Sequence, residues 1–387
     1  MAYANREVDP ELDEVLGMHA GGKTRMVSRV RINTVADLRK IYTPGVAKVS
    51  KLIEANPDQI YPYTSIGDTV AVITNGTAVL GLGDVGVRAA MPVMEGKAVI
   101  FMEMVDISAV PLLVDTREAD PFVEAVSLIA PTFGAILLED VAAPLCFEVE
   151  GRLKQRLDIP VFHDDQHGTA VVVLAGLIKA LEISGKKAPA LNVVMNGAGA
   201  AGSAIARFLL DYGVGNVVLC DRCGAVWRGR TEGMNPAKEQ IAQVTNRENE
   251  RGSLAQVMRG KDMFIGVSVA GLVSPQMIRS MAPEPIVFAM ANPIPEIWPD
   301  EAVQAGAVVA TDGRRLNNAL GFPGIFRGAL DARARAIDER MKVAAARSLA
   351  DQAPQGELVP DFMDRRVHRK VAEAVARAAR ESGVARA

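Results

Sequence analysis

Beyond residue 190 the chain repeats one rhythm. Five short apolar runs, Asn192–Met195, Val217–Cys220, Met263–Val267, Ile286–Met290 and Ala307–Ala310, alternate with stretches of helical pattern. Runs that are apolar throughout, rather than alternating in polarity, suit strands buried on both faces. Strands joined through helices run parallel, because a helical crossover returns the chain to the same end of the sheet. The rhythm therefore predicts an open, doubly wound parallel sheet, an α/β fold. Its first run feeds Gly197-Ala198-Gly199-Ala200-Ala201-Gly202 and a helix over Ser203–Tyr212, and Asp221 ends the second run. Strand, glycine turn, helix and acid in that order make a Rossmann dinucleotide fingerprint. Gly197, Gly199 and Gly202, with Ala200 and Ala201 between them, let a pyrophosphate approach the helix N-terminus, and Asp221 is placed to bind the adenosine ribose. Asp221 favours NAD by repelling a 2′-phosphate, while Arg222 beside it leaves NADP open.

The half upstream is less regular. Residues 1–33 read as a polar lead-in, followed by a helix over Val35–Tyr42 that Pro44 and Gly45 end. Thr69–Thr74 and Thr77–Leu82 read as two strands about an Asn75-Gly76 turn, and Ala98–Met102, Pro111–Val114 and Ala135–Leu138 as further strands. Gly81–Gly86 repeats the glycine spacing, but Pro92 falls where the helix should follow, so it reads as a turn near substrate. The chain has 387 residues, enough for two domains, and a formal charge of −3 with no concentrated basic face for nucleic acid. No apolar run reads as a membrane span, and the first ten residues lack a signal pattern. Three cysteines give no disulfide framework, and Cys220 and Cys223 lack the second pair a zinc site needs. The expectation is a cytoplasmic α/β protein.

Between the halves lies Ile159–Ala170, IPVFHDDQHGTA, where Asp164 and Asp165 follow an apolar run and Thr169 is placed to cap the next helix. A second acid pair, Glu139-Asp140, ends the run Ala135–Leu138. Adjacent carboxylates repel unless a cation sits among them, and oxygen donors at two strand ends suit Mg²⁺ or Mn²⁺. His163 and His167 are four apart, but Asp164-Asp165 stand where a zinc protease motif carries glutamate. Asn292 and Asn317-Asn318 follow later apolar runs, on the side of the sheet where ligands bind.

Taken together, IYTPGVA, TNGTAVLGLGDVG, PVMEGKAVIF, LLEDVAAPLCFEVE, FHDDQHGTA, NGAGAAG, ANPIPE and NNALGFPGIFRGALD, in this order, resemble the short bacterial malic enzymes over nearly the whole chain. The resemblance implies oxidative decarboxylation of L-malate to pyruvate and CO₂ with NAD(P) and a divalent metal. It implies Glu139, Asp140 and Asp165 as metal ligands, Lys97 as general base held by Asp164, and Tyr42 as general acid. It also implies that Asn292 and Asn318 contact substrate, assisted by Asn317, with Asn292 near the cofactor as well. It implies a malic domain over 1–160, a dinucleotide-binding domain with C-terminal helices over 161–387, and a homodimer or larger. Thr77 stands where larger family members carry a carboxylate-binding arginine, so the anchor is open among Arg88, Thr77 and Lys23. Malate-to-lactate conversion and a catalytically inactive NAD-binding regulator are the rival readings; intact Tyr42, Lys97 and acids argue against the second.

Overall fold

The computed structural model describes residues 10–79 and 81–386. The first sheet comprises β1 (Thr69–Thr74), β2 (Ser108–Leu113), β3 (Ala135–Leu138) and β4 (Val161–His163), in the order β2-β1-β3-β4 and parallel throughout. The second comprises β5 (Asn192–Asn196), β6 (Asn216–Asp221), β7 (Gly224–Ala225), β8 (Met263–Gly266), β9 (Ile286–Ala289) and β10 (Val309–Asp312). Its order is β10-β9-β8-β5-β6-β7, parallel except for β7, which turns back on β6. The chain moves outward from β5 to β6, then crosses to β8 on β5's other side, which makes the gap between β5 and β8 a topological switch point. All five predicted runs are strands here.

Four expectations upstream fail for physical reasons. Among the described residues of 77–82 there is no second hairpin strand: β1 already has parallel neighbours on both edges. The Thr77 and Ala78 amides donate instead to the carbonyl of Asp140. What remains is an isolated bridge between Val79 and Gly83, with Leu80 outside the described residues. Ala98–Met102 lies inside a helix, Met91–Val105, whose buried Met94, Ala98, Phe101 and Val105 follow helical spacing. Pro92 does not interrupt that helix but occupies its first turn, where its missing N–H costs nothing. Thr169 caps nothing, because the helix Thr169–Ser184 continues directly from a π-helical turn at Asp164–Gly168. β4 pairs with β3, so the first sheet extends to His163.

The stretch Asp164–Ser184 is long and apolar enough by composition to cross a membrane, yet most of it is enclosed by the protein's own core. Val171, Val172, Val173, Leu174 and Leu177 are wholly inaccessible, each side chain contributing roughly 1.5–3 kcal/mol through burial. C-terminal helices Phe322–Asp331, Glu339–Gln352 and Arg365–Ser382 close the back of the molecule. Gly324 and Gly328 let the first and last cross closely: a Cβ on Gly328 would lie 2.4 Å from the Ala372 carbonyl oxygen. The basic side chains of the last helix lie on the face opposite its buried Val367, Val371, Val375 and Ala379. The N-terminal segment contrasts with all of this, since no described residue from 11 to 68 is buried.

Candidate active site

Strand register builds the acidic cluster. Leu138 on β3 pairs with His163 on β4, so Glu139-Asp140 and Asp164-Asp165 leave neighbouring strands at the same level. Ligand oxygens of Glu139, Asp140 and Asp165 lie within 4.8 Å of one another. The Asp140 amide donates to Asp165 Oδ2 at 2.9 Å, and Asp140 itself takes a left-handed backbone at φ 54°. Such a conformation costs a non-glycine residue roughly 1–2 kcal/mol and persists where surrounding bonds impose it. Here the Thr77 and Ala78 amides hold the Asp140 carbonyl from the other side.

Lys97 enters from the helix Met91–Val105. Its Nζ stands 3.0 Å from Glu139 Oε1, donates to Asp164 Oδ2, and lies 4.5 Å from the centre of the Phe322 ring. Burial alone pushes the Lys97 pKa down, but the carboxylates of Asp164 and Glu139 reverse this and raise it, so the side chain is an ammonium. Glu139 is pushed well up, by burial first and then by the neighbouring acids, against the pull of Lys97. Four carboxylates thus face one ammonium. Glu139 Oε2 is buried without a hydrogen-bond partner, and all three candidate ligands are hard oxygen donors. The residues fit a divalent cation of the Mg²⁺ or Mn²⁺ type.

The π turn packs these groups tightly. A Cβ on Gly168 would fall 1.8 Å from Asp164 Oδ1 and 3.3 Å from Asn318 Cβ, so only glycine fits, and Asn318 is brought against the cluster. Asn317 instead caps its own turn, its Oδ1 accepting the Ala319 amide. Neither histidine joins the acids as a ligand. His163 is fully buried with neither ring nitrogen hydrogen-bonded, its Nδ1 3.7 Å from Asp165 Oδ2, and His167 turns to Glu150. Among the anchor candidates, Thr77 is occupied by Asn75 and the Ala142 amide, Arg88 is exposed, and Lys23 binds the Pro92 carbonyl at 2.7 Å on the Lys97 helix. Tyr42 is 66% exposed, its backbone bonded to Leu38 and Val46 while its hydroxyl makes no hydrogen bond with described residues.

At the switch point the glycines behave as the fingerprint requires. Gly197 has φ 116°, and a Cβ on Gly202 would lie 1.7 Å from the Gly197 carbonyl oxygen, so the helix Ala200–Tyr212 can start hard against the turn. Gly81 faces the Asn292 carbonyl oxygen, 3.3 Å from where its Cβ would be, which sets the first glycine-rich turn against the second sheet's ligand edge. Asp221 is engaged on both oxygens. Oδ1 accepts from the Cys223 amide and Arg230 Nη1, each at 2.9 Å, and Oδ2 accepts from Arg230 Nη2 at 2.5 Å and Lys238 Nζ at 2.6 Å. Burial would raise its pKa, but the Arg230 and Lys238 bonds override that and bring it to about 2.

Several of these residues escape sequence reasoning. Arg230 and Lys238 lie 9 and 17 residues beyond Asp221, the first in a loop and the second on the short helix Pro236–Ala242, with no motif to mark them. Glu296 is fully buried and accepts the amides of Ser268 and Ala291, tying the Asn292 loop to β8. Phe322 under Lys97 and the buried Glu150 likewise carry no local signal beyond an acid or aromatic in an apolar run.

Comparison with known proteins agrees with this geometry. The profile of the malic enzyme N-terminal domain matches residues 22–154, and that of the malic enzyme NAD-binding domain matches 166–316 and 299–380. The chain is 50% identical to the bifunctional malic/malolactic enzyme of Bacillus subtilis, over 97% of this chain and 94% of that one. It is also 50% identical to the NAD-dependent malic enzyme of Geobacillus stearothermophilus, over 97% and 80%. The crystal structure of malic enzyme from Pyrococcus horikoshii superposes with a TM-score of 0.93 at 40% identity, covering 97% of this chain and 92% of that chain. The protein belongs to the malic enzyme family and is an NAD(P)-dependent oxidoreductase that decarboxylates malate to pyruvate.

Proposed function

We propose that the cluster at the ends of β3 and β4 is the chemical centre of this reaction. The observation that carries the reading is Lys97 Nζ held between Asp164 and Glu139, beside the three-carboxylate group. Glu139, Asp140 and Asp165 hold the divalent ion. When bound, the ion withdraws charge from the substrate oxygens and the dinucleotide accepts hydride. Lys97 takes the proton of the C2 hydroxyl, Asp164 keeps its amine aimed there, Tyr42 returns a proton to C3, and Asn292 and Asn318 orient the substrate, with Asn317 beside them. Lys97 among four carboxylates is held protonated, so its role as base requires further positive charge in the cluster, and base and metal site go together. The test is absorbance at the nicotinamide band with L-malate, Mn²⁺ and NAD or NADP. Malate-dependent reduction is expected, and none with either cofactor, in protein that binds NAD, would overturn the reading.

For the cofactor, Gly197, Gly199, Ala200, Ala201 and Gly202 receive the pyrophosphate. Asp221 is neutralised by Arg230 and Lys238, so its repulsion of a 2′-phosphate is offset. This supports use of both NAD and NADP rather than the plain NAD preference that Asp221 alone implies.

Tyr42 supports a homo-oligomer. It stands on a segment whose Val30, Ile32, Val35, Leu38, Ile41 and Val46 are all exposed, left uncovered by the described residues of this chain. A second copy of the chain accounts for that face and carries Tyr42 to a site. The assembly so read is a cytoplasmic homodimer or larger. The likeness to the bifunctional malic/malolactic enzyme of Bacillus subtilis favours a second reading, malate to lactate. Lactate formed with catalytic NAD and no net cofactor reduction would establish it.

A further inference from the structure

We infer that Glu150 is a positioning residue: it clamps the residues around the π turn Asp164–Gly168, and that turn decides where Asp164 and Asp165 point. The inference rests on the reading of Asp165 as metal ligand and Asp164 as partner of Lys97. Glu150 sits on the helix Leu145–Arg156, only 5% exposed. Its Oε1 accepts the His163 amide at 3.1 Å and His167 Nε2 at 2.9 Å, and its Oε2 accepts Gln166 Nε2 at 3.4 Å. It touches neither Asp164 nor Asp165, but holds the residue before them and the two after them. Lys154 supplies the counter-charge at 2.7 Å.

His167 links the clamp to the C-terminal helix Glu339–Gln352, since Lys342 Nζ lies 3.3 Å from His167 Nδ1. An ammonium only donates, so Nδ1 accepts and the ring proton sits on Nε2, facing Glu150. One tautomer satisfies both partners, and the ring is fixed from two sides.

The turn needs such a clamp. A π turn holds one residue more than an α turn, and an unconstrained chain leading into a long α-helix relaxes to α. Losing that residue rotates everything before it by about 100° about the helix axis. Asp164 would leave Lys97 and Asp165 would leave Glu139 and Asp140. A buried carboxylate is costly to keep charged, and apart from Lys154 on its own helix the donors it satisfies are on this turn and its flanks.

The test is Glu150→Gln, which keeps the shape and removes the charge. Mn²⁺ binding to the protein without substrate is followed by electron paramagnetic resonance, NAD binding by calorimetry, and amide exchange over 163–168 by mass spectrometry on metal-free protein. The expected result is a Mn²⁺ dissociation constant about 10–100-fold higher, NAD affinity within about twofold, and faster exchange confined to the turn. Saturating Mn²⁺ should recover most of kcat, and in the metal-free variant exchange outside 163–168 should stay at the wild-type rate, which a general loss of stability would not allow. Mn²⁺ affinity and exchange both unchanged in a folded variant would overturn the inference. If Glu150→Gln does not fold, His167→Gln should give the same pattern at reduced size, and no change there overturns the inference equally. Wild-type protein that binds no Mn²⁺, with exchange still accelerated in the variant, would sink the metal reading and leave the clamp standing.

Discussion

Lys97 and Tyr42 are read as partners in one reaction, yet the molecule treats them in opposite ways. Lys97 is buried, with its ammonium on two carboxylates and over the Phe322 ring. Tyr42 is two-thirds exposed on a segment that buries nothing. The base side of the centre is therefore preorganised within one chain, and the acid side waits for something to pack against it. The difference teaches that preorganisation follows charge. Four carboxylates around one ammonium cannot be left to assemble late, whereas a neutral phenol on an apolar arm can be delivered by docking.

The sharpest break falls at Lys97. Lys97→Ala should lower turnover of malate by about 10³–10⁴-fold while NAD binding persists. Mn²⁺ affinity should hold or rise, because the variant removes a cation from the acids. Loss of NAD binding would show that the two halves of the site are not separable. Tyr42→Phe should cost about 10²–10³-fold at unchanged Mn²⁺ affinity. If a second copy supplies Tyr42, mixing the two dead variants as dimers should restore about a quarter of wild-type activity, since half the dimers are mixed and each has one intact site. No recovery after verified subunit exchange would place the tyrosine in its own chain's site.

How much was legible depended on whether a signal was local. Continuous apolar runs fixed β5, β6, β8, β9 and β10, because strands covered on both faces need no polar alternation. The same logic misread Ala98–Met102, since a helix buried on most sides also reads as an unbroken apolar run. The deciding pattern, Met94, Ala98, Phe101 and Val105, was present but extends beyond the window. The acid pairs were legible as strand ends. Their meeting was not, because it depends on the register of Leu138 with His163. Asp221 was legible from its distance to the glycines, but its two cationic partners, one on a loop and one on a short helix, reach it only through the fold. Exposure of the N-terminal arm was illegible for a further reason: an apolar residue carries no mark of which chain will cover it.

A smaller effect separates Asp221 from its partners. Lys238→Gln should raise the KM for NADP by about tenfold, the size of one charge-assisted hydrogen bond to phosphate, and leave NAD within about twofold. A parallel fall with both cofactors would mean that Lys238 only holds Asp221 in place. That outcome would align the cofactor end with Lys97, as another site built entirely from internal ion pairs.

The smallest effect concerns stability of the preorganised side. Burial first, and the nearby Lys342 and Lys154 as well, push the His167 pKa down to about 4 from 6.5, although Glu150 pulls the other way. Between those values the unfolded chain binds a proton that the folded chain refuses, so stability falls as pH drops from about 6.5 to about 4. The full linkage is about 3 kcal/mol at most. Buried His368, also pushed down by burial, adds to the same slope. Below that window Glu150 takes over: its pKa is depressed by His167 and Lys154 in spite of burial, so its contribution is present above the ordinary carboxylate range and lost under it. Thermal midpoints at pH 7 and pH 5 should differ in the wild type, and His167→Gln should narrow the gap. The Tyr42 segment has no described buried residue, so Tyr42→Phe should leave that gap unchanged. An equal narrowing in both variants would show that the arm and the cluster unfold as one unit, and the contrast between them would then be one of exposure alone.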